Sequence, residues 1–85
     1  MKANVYITLK SGVLDPQGKA VVGALKSMEF GEVKELRIGK FMEVELDCAS
    51  AEEAETRLRD MCEKLLANTV IEDFRIEIVD GGGGK

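Results

Sequence analysis

The chain has 85 residues, of which 45% are hydrophobic and 33% are charged, and its formal net charge is −4. This balance is typical of one globular domain and excludes a disordered chain. The lysines and arginines are scattered singly among acids, so the sequence predicts neither a basic patch for nucleic acid nor attraction to an anionic membrane.

A strand and a helix are predicted first. Residues 5–9 alternate between apolar and other side chains, which is the pattern of a half-buried strand. Asp15 and Pro16 then mark a helix start, because an aspartate side chain caps free backbone N–H groups and proline fits the first helical position. Apolar residues at helical spacing follow, and Phe30-Gly31 is predicted to end this helix.

Two further strands are predicted in the middle of the chain. Residues 33–38 and 41–46 each carry alternating apolar side chains. Gly39 and Lys40 between them fit a tight hairpin, because glycine adopts the backbone conformation that a type II′ turn requires.

The second helix and the last strand complete the pattern. Ser50 and Glu53 form a capping box, in which each side chain satisfies the other's backbone N–H group. An amphipathic helix follows, and the last strand is predicted from about residue 70 to residue 79. The apolar stripe of this helix is composed of Ala54, Leu58, Met61, Cys62, Leu65 and Leu66.

The order β-α-β-β-α-β predicts an α+β, ferredoxin-like fold, with a four-stranded antiparallel sheet and two helices on one face. Residues 1–80 are assigned to a single domain and residues 81–85 to a flexible glycine-rich tail. The other face of the sheet, with Tyr6 and Phe41, would have no covering layer. This favours self-association through that face or through a sheet edge.

The residue types limit the chemistry. There is no histidine, which excludes Ser-His-Asp and Cys-His catalysis. Cys48 and Cys62 alone fall short of the four ligands of a zinc site and are interpreted as small buried side chains. We therefore predict no catalytic and no metal-binding residue. Without an apolar run of signal-peptide or membrane-spanning length, the chain is predicted to be cytoplasmic.

Two local features exceed this background. In the loop 12–18, a helix start explains Asp15 and Pro16 but not the two apolar residues before them or the two glycines. The loop is therefore open to two interpretations, a capped helix start or a contact with a partner or ligand. Residues 37–40 are open to two interpretations. They form either a turn with solubilising charges or a positive knob that docks on an acidic partner surface.

Three motifs resemble the PurS subunit of phosphoribosylformylglycinamidine synthase. Residues 13–21, VLDPQGKAV, resemble the family's signature loop and helix, and residues 33–43 resemble its central hairpin. Residues 62–74 resemble its C-terminal signature, although Thr69 stands where family members often carry proline. The resemblance covers nearly the whole chain except residues 81–85.

The resemblance implies an accessory subunit of an enzyme that converts formylglycinamide ribonucleotide to the amidine with ATP and glutamine, in de novo purine biosynthesis. It implies that a large synthase subunit holds ATP, magnesium and substrate, and that a glutaminase subunit releases ammonia. This chain, as a homodimer or tetramer without a cofactor of its own, would bridge the two and assist ammonia transfer. The residues expected to contact partners are Asp15, Pro16, Gln17, Gly18, Arg37 and Lys40.

Other classes compete with this interpretation. An ACT-like regulatory module shares the element order, and there ligands lie at a dimer interface near the first loop and helix. An RNA-recognition domain would need aromatic residues on the central strands in basic surroundings, whereas Tyr6 and Phe41 are followed by Glu43 and Glu45.

Overall fold

The computed structural model describes residues 1–79, which form an α+β fold with three strands and two α-helices. The predicted tail, residues 81–85, lies outside the described residues. In chain order the elements are β1 (Lys2–Leu9), α1 (Pro16–Ser27), β2 (Lys40–Glu45), α2 (Ala51–Met61), which continues as a π-helical turn (Cys62–Leu66), and β3 (Glu72–Val79).

The strands form one antiparallel sheet in the order β2-β1-β3. Val5 lies opposite Met42 on β2 and opposite Ile76 on β3, so one face of all three strands carries apolar side chains. Residues of α2 pack on the inner face of the central strand β1, where Ala3 and Ile7 are at most 1% exposed. The core of the molecule is therefore the inner face of β1.

The prediction of a four-stranded sheet is wrong for one strand, because the sheet of the described residues has three. Residues 33–38 have no strand pairing in the structure, and β2 begins directly at Lys40. Instead of donating to a neighbouring strand, the Ile38 N–H donates to the Asp15 carboxylate. Gly39 makes no hairpin turn. It lies so close to β1 that an added Cβ would collide with the carbonyl oxygen of Ile7.

The predicted placement of both helices on one sheet face holds for α2 only. Ala54, Leu58 and Cys62 are fully buried, and the last two pack in the same cluster as β1. In α1, by contrast, only Gly18 is buried, and no residue of this helix belongs to the core cluster. The described residues span 50 × 31 × 14 Å, and the least of these extents shows how thin the single chain is.

The helix starts agree with the sequence prediction. Asp15 caps α1 and Ser50 caps α2, where the Ser50 Oγ accepts from the Glu53 N–H at 3.1 Å. The end of α1 comes slightly earlier than expected, at Ser27, because Glu29 adopts the left-handed backbone conformation with φ 73°.

The apolar stripe of α2 is narrower than predicted. The buried positions Ala54, Leu58 and Cys62 follow one another at intervals of four residues, whereas Leu65 is 82% exposed. A π-helical turn is wider than an α-helical one, so residues 62–66 depart from the α-helical phase. Only this narrow row of buried side chains on α2 and at the start of the π-helical turn therefore faces the sheet.

Candidate partner-binding surfaces

Asp15 joins the start of α1 to the segment before β2. Its Oδ1 accepts a hydrogen bond from the Gly18 N–H and its Oδ2 accepts one from the Ile38 N–H, each at 2.9 Å. Both bonds favour the ionised carboxylate and therefore lower the pKa of Asp15 below its ordinary value of 3.8. The bond from Ile38 has the larger effect and the bond from Gly18 the next. The two regions that the sequence singled out separately thus form one continuous surface.

Gly18 permits this close approach. It is buried, and a Cβ at this position would collide with the carbonyl oxygen of Leu36 and with the Asp15 carboxylate. The backbone φ of Gly18 is not in the left-handed region, so its conformation does not require glycine. The close packing against Leu36 and Asp15 does.

The structure divides the six residues expected to contact partners. Pro16 and Gln17 are exposed in the first turn of α1, and Arg37 is exposed in the segment before β2. Asp15 and Gly18 face inward, where they hold the loop together. Lys40 lies on β2, and its Nζ is 3.9 Å from the Glu72 carboxylate. Contact of any of the six residues with a partner stays a prediction.

A groove of about 680 Å³ lies between the loop 10–15, α1 and residues 34–37. Val13, Leu14, Val22 and Leu36 supply its apolar side chains. We call this surface the basic groove, after the five basic residues that line it: Lys10, Lys19, Lys26, Lys34 and Arg37.

Sequence reasoning missed the basic groove. Basic residues that are scattered singly along the chain come together because three separate segments meet. The only sequence signal was the seven-residue spacing of Lys19 and Lys26, which places both on one side of α1.

Apolar side chains remain exposed on the helices and near the end of α2. On α1, Val21 is 37% exposed, and Met28, directly after the helix, is 64% exposed. Beyond α2, Val70 is 80% exposed. Met42 and Val44 on the inner face of β2 are half-buried, because α1 does not cover them. Apolar surface of this kind marks places where another protein packs.

The outer face of the sheet carries an ordered polar and aromatic cluster. The rings of Tyr6 and Phe41 lie 5.2 Å apart, and the Arg75 guanidinium lies 4.0 Å from the centroid of the Tyr6 ring. The Tyr6 hydroxyl donates to the Glu77 carboxylate at 2.7 Å, and the Asn4 amide donates to it at 3.2 Å. Both bonds lower the pKa of Glu77 from its ordinary value, and the bond from Tyr6 has the larger effect.

The two cysteines lie in different surroundings. Cys62 is fully buried in the core, and burial raises the pKa of its thiol, which makes it a poor nucleophile. Cys48 is half-buried. Within residues 1–79 no group of three cysteine, aspartate and glutamate residues could hold a metal ion. In the same range no helix has the length and hydrophobicity needed to cross a membrane.

Comparison with known proteins gives consistent matches. Residues 2–80 match the family model PurS, phosphoribosylformylglycinamidine (FGAM) synthase. The chain is 53% identical to the phosphoribosylformylglycinamidine synthase subunit PurS of Bacillus subtilis over 77 residues, 91% of this chain and 90% of that protein.

Solved structures show the same fold. Bacillus subtilis PurS superposes with a TM-score of 0.83 at 52% identity, over 93% of this chain and 98% of that one. A chain from the structure of PurLQS from Thermotoga maritima superposes with a TM-score of 0.82 at 31% identity, over 91% of this chain and 95% of that one.

Proposed function

Since this chain belongs to the PurS family of phosphoribosylformylglycinamidine synthase subunits, we propose that it is the accessory subunit of that synthase in cytoplasmic purine biosynthesis. In this role it bridges the large ATP-dependent subunit and the glutaminase subunit and assists the transfer of ammonia between them. The observation that carries the proposal is the likeness, over 91% of this chain, to a chain of PurLQS from Thermotoga maritima.

The surface of the described residues suits a bridging role. The basic groove lies on one side of α1 and the exposed apolar residues Val21 and Met28 on the other. The outer sheet face, with Phe41 at 55% exposure, is a third surface. A chain that offers several separate surfaces can contact several proteins at once, whereas bond chemistry takes place in its partners, where ATP and magnesium are bound.

A second copy of this chain is the first of these partners. A helix that buries one glycine gains little from tertiary packing in the single chain, and isolated helices of about twelve residues are marginal in water. The exposed apolar side of α1 and the uncovered inner residues of β2 need a covering layer. We assign that layer to a homodimer or a tetramer built from dimers.

The residues at the first turn of α1 touch the large subunit in this proposal. Direct contact is assigned to the exposed residues Pro16, Gln17 and Arg37. Lys40, which is also exposed, makes contact at a separate point. Asp15 and Gly18 act indirectly, since they fix the shape of the loop against the segment that carries Arg37.

Reconstitution tests the proposal. The large subunit and the glutaminase subunit are mixed with and without this chain, and ATP turnover is measured with glutamine and, separately, with free ammonia. Turnover with glutamine should require the chain, whereas turnover with ammonia should not. If the chain changes neither rate and does not co-elute with the other subunits, the bridging function is wrong. Calorimetric binding of amino acids would then favour the ACT-like module.

A further inference from the structure

We propose that the basic groove is the docking site for an acidic, partly apolar segment of a partner subunit. This inference rests on the proposed function, because it identifies the chemistry by which the assembled synthase would hold this chain.

The charge of the basic groove contrasts with that of the whole chain. The chain has sixteen acids and twelve bases, yet the basic groove is lined by five bases and only two acids, Asp15 and Glu35. The Asp15 carboxylate is already bonded to two backbone N–H groups. The groove therefore attracts anionic groups although the protein as a whole repels them.

Most of these cations have no ion-pair partner among residues 1–79. Lys10 forms an ion pair with Asp73 at 2.9 Å. For Lys19, Lys26, Lys34 and Arg37, no carboxylate of residues 1–79 lies within 4 Å. Four cations without an ion pair on one surface are suited to a partner that carries several carboxylates.

The geometry favours a protein segment over a small anion. Sites for small molecules hold their ligand with precisely placed polar groups in a largely enclosed cleft. Here Lys19, Lys26, Lys34 and Arg37 are all exposed, and the Gly18 N–H at the start of α1 is already bonded to Asp15. The apolar side chains of the groove, with Leu14 62% exposed, need apolar contacts that an inorganic anion cannot make.

Nucleic acid and a second copy suit the groove less well. Proteins that bind single strands stack bases on aromatic rings, and no aromatic residue lines this groove. Helical geometry of about 100° per residue places Lys19 and Lys26 on the side of α1 opposite Val21 and Met28. A second copy on the apolar side leaves the basic side free for another protein.

Charge reversal on this side of α1 tests the proposal. The variant is Lys19→Glu with Lys26→Glu, and the matched control is Arg57→Glu with Lys64→Glu. Both pairs are exposed, lie seven residues apart and change the net charge equally. The measured quantity is the concentration of this chain that gives half-maximal glutamine-dependent turnover in the reconstituted enzyme. We expect at least a tenfold rise for the groove variant and less than a threefold rise for the control.

Salt and a milder variant sharpen the result. The half-maximal concentration of the wild-type chain should rise with ionic strength, because contacts between exposed charges are screened, and that of the groove variant should rise less. The variant Lys19→Gln with Lys26→Gln should have a half-maximal concentration between that of the wild-type chain and that of the groove variant. Melting curves at the pH of the assay establish that each variant is folded.

Three outcomes overturn the proposal. One is an unchanged half-maximal concentration in the groove variant. Another is an equal rise in groove variant and control, which would reflect net charge alone. The third is a change of the chain's own oligomeric state in sedimentation with unchanged affinity for the other subunits, which would make the groove a contact between copies. The proposed function fails separately, when the wild-type chain itself gives no stimulation.

Discussion

Asp15 and Ile38, 23 residues apart in the chain, are joined by a hydrogen bond of 2.9 Å from the Ile38 N–H to the Asp15 Oδ2. The same carboxylate caps α1 through Gly18. One side chain therefore determines both where α1 starts and where the segment before β2 runs. The N–H group of Ile38, the last residue of the segment 33–38, is therefore not available to a neighbouring strand.

The first prediction concerns Asp15→Asn and pH. Because the folded-state pKa of Asp15 is lowered, its charged contacts stabilise the fold above the ordinary value of 3.8 and are lost as pH falls through the lower folded-state pKa. An asparagine keeps one acceptor oxygen, so one of the two N–H groups loses its partner. Wild type should be more stable than the variant at about pH 6, and the difference should shrink below about pH 4.

Urea unfolding at a fixed protein concentration measures this difference across the pH range, and the fixed concentration removes the effect of self-association. A stability gap that stays constant down to about pH 2 would contradict a role for the Asp15 charge.

Two glycines of α1 supply the second prediction. Gly18→Ala should destabilise the fold by about 1–3 kcal/mol, because the new methyl group collides with the Leu36 carbonyl oxygen. Gly23→Ala is the matched control. Nothing lies within 4 Å of its added Cβ, and alanine in an exposed helix interior should stabilise by about 0.5–1 kcal/mol. Opposite signs in urea unfolding are expected, and equal signs would count against the close packing at Gly18.

Leucines on α2 and its π-helical extension provide the third prediction. Leu58→Ala should cost about 2–5 kcal/mol of unfolding free energy, because Leu58 is fully buried beside β1. Leu65→Ala should change it by less than about 0.5 kcal/mol in the single chain, because that side chain is 82% exposed. A comparable loss at both positions would show that Leu65 is buried in solution, against another copy of the chain.

These pairs show what periodicity can and cannot predict. The strands β1 and β3, both helix starts and the buried side of α2 follow from alternation, helical spacing and capping residues, all of which are local in the chain. Residues 33–38 alternate like a strand, but Leu36 and Ile38 are half-buried because they meet the start of α1. That contact depends on a glycine and a carboxylate some twenty residues earlier, which no local pattern records.

The same reason applies to the candidate site. Asp15, Pro16 and Arg37 could be selected from the sequence because turn and capping residues are local signals. The basic groove could not, since Lys10, Lys19 and Lys34 come together only when three segments fold against one another. Sequence reasoning also placed α1 on the sheet, because an apolar stripe predicts that a helix is covered without identifying what covers it.

Self-association through α1 is the last prediction. Val21→Glu with Met28→Glu places two charges on the apolar side of the helix, at positions 37% and 64% exposed in the single chain. If a second copy covers that side, buried unpaired carboxylates should shift the chain to a monomer in sedimentation at micromolar concentration. The matched control is Ala20→Glu with Ser27→Glu, which has the same spacing on exposed neighbouring positions and should shift the equilibrium much less. An oligomer unchanged by the first pair would place the contact between copies elsewhere, and the outer sheet face around Tyr6 and Phe41 would be the next surface to substitute.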